Sequence, residues 1–240
     1  MFPGVFQHGN SIILYRTFHN VKLNGNQQIY SLLCQLERAY EFNNSNLPET
    51  IYVQIDGGAE NVNKVVLGML ALLVAKRVGG MRNLILTRLP VGHTHEDIDS
   101  IFGVISRWIY KRFANDPQSY AKEIRAALAK KGIACEVIDI FCVPDFESFI
   151  TPFLDENFSR FAKEAYAIHQ FMFKAVNVSF DCPVGVEMSY RKYVSDEYPE
   201  VVEDTDPNSE LGVKIRVFES KTFPEPGTPP INILLALPGK

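Results

Sequence analysis

The sequence predicts an α/β protein with parallel strand pairing, on three observations. Between Ser11 and Phe113, short apolar runs of strand length alternate with longer segments of helical period. Glycine turns punctuate the alternation, at Gly25, at Gly57-Gly58 and at Gly79-Gly80. A cluster of histidines and carboxylates follows the third strand-like run, and the loops after strands are where α/β sheets gather their chemistry.

The elements follow in order. Ser11–Phe18 reads as a strand, and Asn24-Gly25-Asn26 as a turn in which Asn26 is the expected helix cap. A helix is expected from about Gln27 to Phe42, with Ile29, Leu32, Leu33, Leu36 and Tyr40 on its apolar face. Ile51–Asp56 reads as a strand ending at a carboxylate. The helix expected from about Glu60 to Val78 is apolar nearly all round, so it should be buried, and Gly79-Gly80 should end it. Asn83–Leu89 reads as a buried strand. A third helix should run to about Phe113, apolar at Ile98, Ile101, Phe102, Ile105 and Ile109.

Beyond this the order loosens. Ser119–Lys131 reads as a charged amphipathic helix, Ala134–Ile140 as a strand and Asp155–Phe171 as a helix. Residues 174–181 and 184–193 alternate like an antiparallel pair, and Val213–Phe218 reads as a further strand. This divides the chain into a core over residues 1–116, an α+β region over 117–222 and a Pro-rich tail over 223–240.

Composition narrows the class. The chain has 240 residues, is 46% hydrophobic and 22% charged, and carries a formal net charge of -4, which excludes wholesale disorder and general adhesion to nucleic acid. A local basic surface is still open, because Lys64, Arg77, Arg82, Arg88, Arg107, Lys111 and Arg112 crowd the central third; the plain reading of these is solvated charge. Cys34, Cys135, Cys142 and Cys182 form no CxxC pair and are expected to be buried free thiols. With no signal peptide and no apolar run long enough to span a bilayer, the expectation is a soluble intracellular protein, cytoplasmic or nuclear, not secreted and without a membrane partner. GxSxG, P-loop and GxGxxG motifs are absent.

The chemistry concentrates in His93-Thr94-His95-Glu96-Asp97-Ile98-Asp99, two histidines and three carboxylates in one short run. Asp56 ends a strand expected to be parallel to the one before this cluster, so the two can meet at one sheet edge. Oxygen ligands from Asp56 and Asp99 suit Mg²⁺ or Mn²⁺. Asp99 lies beside Ile98 and Phe102 and is expected to face the sheet, whereas Asp97 projects toward solvent. His95, four residues before Asp99, shares its helical face and could orient it or assist proton transfer.

Two other readings compete. His93-Thr94-His95-Glu96-Asp97 resembles the HxHxD start of a metallo-β-lactamase-type zinc site, although Ile98 stands where that motif continues with histidine. Helix capping is the plainest: Thr94 as N-cap with Glu96, Asp97 and Asp99 in a first turn that favours negative charge. Capping leaves the paired histidines unexplained. Glu60 and the amides Asn61 and Asn63 read as an ordinary acidic, capped helix start.

The series Asp56…Glu60-Asn61-Val62-Asn63-Lys64 and Leu89-Pro90-Val91-Gly92-His93-Thr94-His95-Glu96-Asp97-Ile98-Asp99…Phe102 resembles a family of uncharacterised eukaryotic domains found in transposon-derived genes. That family looks like a ribonuclease-H-like transposase or integrase core. The resemblance covers residues 11–113 and implies a mixed sheet with flanking helices, with Ser11–Phe18 as its third strand. It also implies DNA or another nucleic acid as partner, Asp56 and Asp99 as catalytic metal ligands (with Asp97 or Glu96 as substitutes for Asp99), and His93 and His95 positioning water, phosphate or Asp99. Such acids hold ions about 4 Å apart for in-line phosphoryl transfer. The chain departs from the pattern in having no Asp or Glu in residues 1–36, where the first acid belongs, and the first two strands are expected to be missing. A truncated or degenerate copy follows, with weakened catalysis or a non-catalytic binding role toward a protein or nucleic acid.

Overall fold

The computed structural model describes residues 4–8, 10–18, 21–22, 24–55, 62–88, 97–156, 158–159, 162, 165, 168–176, 185–191 and 217. The chain divides into two units, each discontinuous in sequence. The first comprises Met1–Lys22 with Gly92–Val143, and the second Leu23–Val91 with Pro144–Lys240. The boundary expected near residue 116 falls inside the first unit. The α/β class with mixed strand pairing and flanking helices is as expected.

In the first unit, β1 (Gly4–His8) and β2 (Ser11–Thr17) form an antiparallel hairpin, and β5 (Ala134–Ile140) pairs parallel to β2. The sequence reading missed β1, whose Gly-Val-Phe-Gln-His run is short and barely alternates. Residues 12–17 are all buried, as the middle strand of a covered sheet must be. Helices α3 (Asp97–Ile109) and α4 (Pro117–Ala129) close one face of it. Ile12 and Leu14, two apart and so on one side of the strand, meet Ile101, Ile105, Ile124 and Leu128 in a single core. At the strand end, Arg16 is 7% exposed at its side chain and grips its cross-strand partner Asp139 with two hydrogen bonds, of 2.7 and 2.8 Å. A third donation goes to the Pro117 carbonyl at 2.8 Å. Phe18 and Phe141 stack beside it, ring centroids 5.1 Å apart.

In the second unit, β3 (Thr50–Ile55) and β4 (Asn83–Arg88) are parallel, joined through α2 (Lys64–Ala75). To β4 is added β6 (Gln170–Val176) and then β7 (Gly185–Arg191), both antiparallel, giving the order β3-β4-β6-β7. The expected late hairpin is therefore present, and β6 begins at Gln170, where a helix running on to Phe171 had been expected. Leu84, Phe173 and Met188 align across adjacent strands, each fully buried, and Val53, Leu86 and Phe171 form a second such row. Tyr52, between these rows on β3, is 76% exposed, the alternation of a sheet covered on one face. Val213–Phe218 lies outside the described residues except Val217, which is buried.

The buried rows explain α2. Residues 65–75 are buried without exception, and the helix packs on β4, β6 and β7 with α1 (Gly25–Phe42) and α5 (Phe146–Ile150) against it. A helix walled on several sides needs an apolar surface all round. Gly68 admits the close approach of Leu154, whose Cδ2 would lie 2.8 Å from an added Cβ. The helix is shorter than expected because Asn63 caps it, accepting from Val65 N and Val66 N, and because the chain turns left-handed at Arg77 and Gly79. At α1 the cap is Asn24 rather than the expected Asn26, whose side chain instead links to Asp145 and the Glu147 amide.

One further expectation is corrected. Ser11–Phe18 does not join the sheet of β3 and β4; β2 pairs with β1 and β5 in a sheet of its own. The hydrophobic pattern specifies that β2 is a strand, but pairing depends on contacts remote in sequence, here with residues 134–140.

Candidate functional site

Two parallel strands point their C-terminal ends the same way, and here those ends are level: Ile55 is paired with Arg88. Asp56 is the next residue in sequence after one, and Leu89, which leads to the histidine cluster, after the other. The two strands therefore end level at one edge of the sheet. Asp56, His93, His95 and Glu96 themselves lie outside the described residues, as does Glu60.

Asp97 opens α3. Asp99 stands on its first turn and is exposed. Within its own unit it lies away from the core that α3 shares with β2 and α4. The buried line of α3 runs through Ile101 and Ile105, and Asp99 lies roughly 160° around the helix from Ile101 at about 100° per residue. The sequence placed Asp99 with Ile98 and Phe102, but Phe102 is only half-buried and does not define the core face. An exposed carboxylate in a helical first turn is well placed by the dipole and open to a ligand. Among the described residues, no group of three His, Cys, Asp or Glu side chains is arranged to hold a metal ion.

Arg88 was read as solvated charge and is not: it is 5% exposed, and its Nη1 donates to the Ile168 carbonyl at 3.4 Å. Its backbone N–H donates to the His169 carbonyl at 2.7 Å. A guanidinium buried at a strand end fixes positive charge close to where chemistry is expected. The signal was legible, since Leu84, Leu86 and Arg88 alternate on one strand face. Beside it, Gln170 donates to Thr87 Oγ1 at 2.8 Å and accepts from Arg191 Nε at 2.7 Å, so polar groups bridge three strands. Gln27, buried in the first turn of α1, has no hydrogen-bond partner for either amide atom among the described residues, which no periodicity could have foretold.

The other basic residues divide. Lys64 pairs with Glu147 at 3.7 Å and Arg82 with Glu49 at 3.5 Å, ordinary surface pairs. Arg107, Lys111 and Arg112 lie at the end of α3 and in the turn after it, all exposed, with Arg112 paired to Glu123 at 3.1 Å. The described cysteines form no disulfide, but they are not fully buried as expected: Cys142 is exposed and Cys34 and Cys135 are half-buried, enough for desolvation to push their thiols up to about 11.

Fold and site together define an α/β protein of mixed sheets, with no helix among the described residues long and apolar enough to cross a membrane. The chain belongs to the family of domains of unknown function DUF7869, whose model matches residues 2–192. No curated protein and no solved structure matches it.

Proposed function

We propose that this chain is a transposon-derived, degenerate domain of ribonuclease-H-like type, whose ancestral reaction is Mg²⁺- or Mn²⁺-dependent strand transfer or hydrolysis of nucleic acid. The observation that carries the reading is the level ending of β3 and β4, with Asp56 and the run toward Asp99 following directly in sequence. Asp56, Asp99, Asp97 and His93 are the residues that would hold the metal, an oxygen-rich donor set suited to a hard cation. A hard cation held by these residues would supply Lewis-acid activation of a nucleophile and neutralisation of phosphoryl charge. His95 would orient Asp99 or take up a proton. Buried Arg88 adds fixed positive charge at the same strand end, which favours an anionic substrate.

A second reading has its own support. The strand β2 lies in a different sheet from β3 and β4, unlike the expected ribonuclease-H-like order. That arrangement favours a module with a binding role and no catalysis.

Thermal melting of the full chain under Mn²⁺ or Mg²⁺ titration, against Asp56→Ala combined with Asp99→Ala, separates the two. A metal-dependent rise of melting temperature confined to the wild type supports one shared site. An identical response in both proteins removes the metal site and leaves the binding module. Zinc that copurifies and is lost in His93→Ala would replace both with a zinc hydrolase.

A further inference from the structure

The strongest unexplained surface lies in the first unit, where α3 ends and α4 packs beside it. The segment Arg107-Trp108-Ile109-Tyr110-Lys111-Arg112-Phe113 interleaves basic and aromatic residues. Tyr110 is 90% exposed and Phe113 96%, the two most exposed large hydrophobic side chains among the described residues. Trp108, in the same segment, is held in place: the Arg112 guanidinium carbon sits 3.5 Å from its ring centroid and the Lys130 ammonium 4.6 Å. Its indole N–H donates to Glu123 at 2.7 Å.

Charge is concentrated here against the trend of the chain. Residues 100–131 hold seven basic and two acidic residues, in a protein whose formal net charge is -4. Both acids are engaged. Glu123 pairs with Arg112 at 3.1 Å as well as with Trp108, and Asp116 caps α4 by accepting from Ser119 N at 2.8 Å. Arg107, Lys111, Lys130 and Lys131 are exposed, Lys130 with its ammonium over the Trp108 ring.

We propose that this patch binds single-stranded nucleic acid, with Tyr110 and Phe113 stacking on bases and Lys111, Lys130 and Lys131 contacting phosphates. Rings of this kind need unstacked bases, which a duplex does not offer, and every base presents a face to stack on. An anionic membrane fits less well, because a helix lying in a lipid surface must free its apolar face. The apolar line of α3 is committed to the core through Ile101 and Ile105. The surface stands on its own observations and specifies the partner of the proposed function.

The test is fluorescence anisotropy of a labelled oligothymidylate with the full chain in EDTA, alongside the emission of Trp108, the only tryptophan. The wild type should bind in a salt-sensitive manner and its Trp108 emission should change. Tyr110→Ala with Phe113→Ala should weaken binding by about tenfold or more, whereas Tyr110→Phe with Phe113→Tyr should retain it. Lys111→Glu with Lys131→Glu should weaken it and flatten the salt dependence. These side chains are exposed, so the variants should melt like the wild type. No oligonucleotide binding by the wild type, or unchanged binding by the double alanine variant, overturns the proposal. So does binding to phosphatidylserine vesicles without binding to the oligonucleotide. Because EDTA removes divalent metal, the assay reads this surface alone, and the metal reading stands or falls separately by the melting experiment.

Discussion

The two units solve the same packing problem with opposite allocations of side chains. In the second, α2 turns an apolar surface in every direction and is covered by sheet and helices together. In the first, α3 and α4 each give one face to a small core of Ile and Leu and leave the other to charge and aromatic rings. A helix enclosed on all sides contributes stability and has no surface left for partners. A helix covered on one side has both, and the proposed nucleic-acid surface falls on such helices.

Substitutions in the two cores test that contrast most strongly. Leu70→Ala, at a fully buried site in α2, should cost about 4 kcal/mol, and Ile105→Ala in α3 about 3 kcal/mol, by chemical denaturation of the full chain. A cost below about 1 kcal/mol for Leu70→Ala would mean that α2 is not the centre of its unit.

Ion pairs come next. Asp139→Ala leaves the Arg16 guanidinium buried and short of its partner, and should cost about 3 kcal/mol. Glu41→Ala removes the exposed Arg38–Glu41 pair of the second unit and should cost no more than about 0.5 kcal/mol. Equal effects would show that the first unit does not depend on its enclosed Arg16 cation.

Helix caps distinguish the units by pH. Asn63→Ala should cost about 1 kcal/mol at every pH, since an amide does not titrate. The Asp116 carboxyl is held below its usual value by the Ser119 backbone amide and then by the Ser119 hydroxyl. Its folded pKa is therefore the lower one. The contribution is fully present above the unfolded value near 3.8 and is lost as pH falls through the folded value. The stability gap between Asp116→Ala and wild type should thus close in acid, while that of Asn63→Ala should persist.

The smallest effects are at the thiols. Alkylation followed residue by residue with mass spectrometry should mark exposed Cys142 well before Cys34 or Cys135 at neutral pH. Burial raises the last two to about 11 in the folded chain against an ordinary 9.0. Their stabilising contribution is complete below the unfolded value and declines as pH rises from there through about 11, so alkaline melting should be steeper than in Cys34→Ser or Cys135→Ser. Fast labelling of Cys34 would show that its thiol is not shielded by burial.

Much of this architecture was legible in residues close together in sequence. The apolar surround of α2 announced burial, the turn at Gly79-Gly80 announced its end, and the alternation of β6 and β7 announced a hairpin, because each depends on periodicity within one element. The strand preceding Asp56 and the helix opening at Asp97 were readable for the same reason. What only the tertiary structure decided were the relations between distant segments. Residues 11–17 pair with residues 134–140 and not with the β3–β4 sheet; Arg88 is enclosed through the carbonyl of Ile168; Asp99 faces outward because the core line of α3 was claimed by Ile101 and Ile105. Local pattern fixes which face of an element is apolar, but which strands pair and which charges are enclosed depends on free energies of contact between residues far apart in the chain.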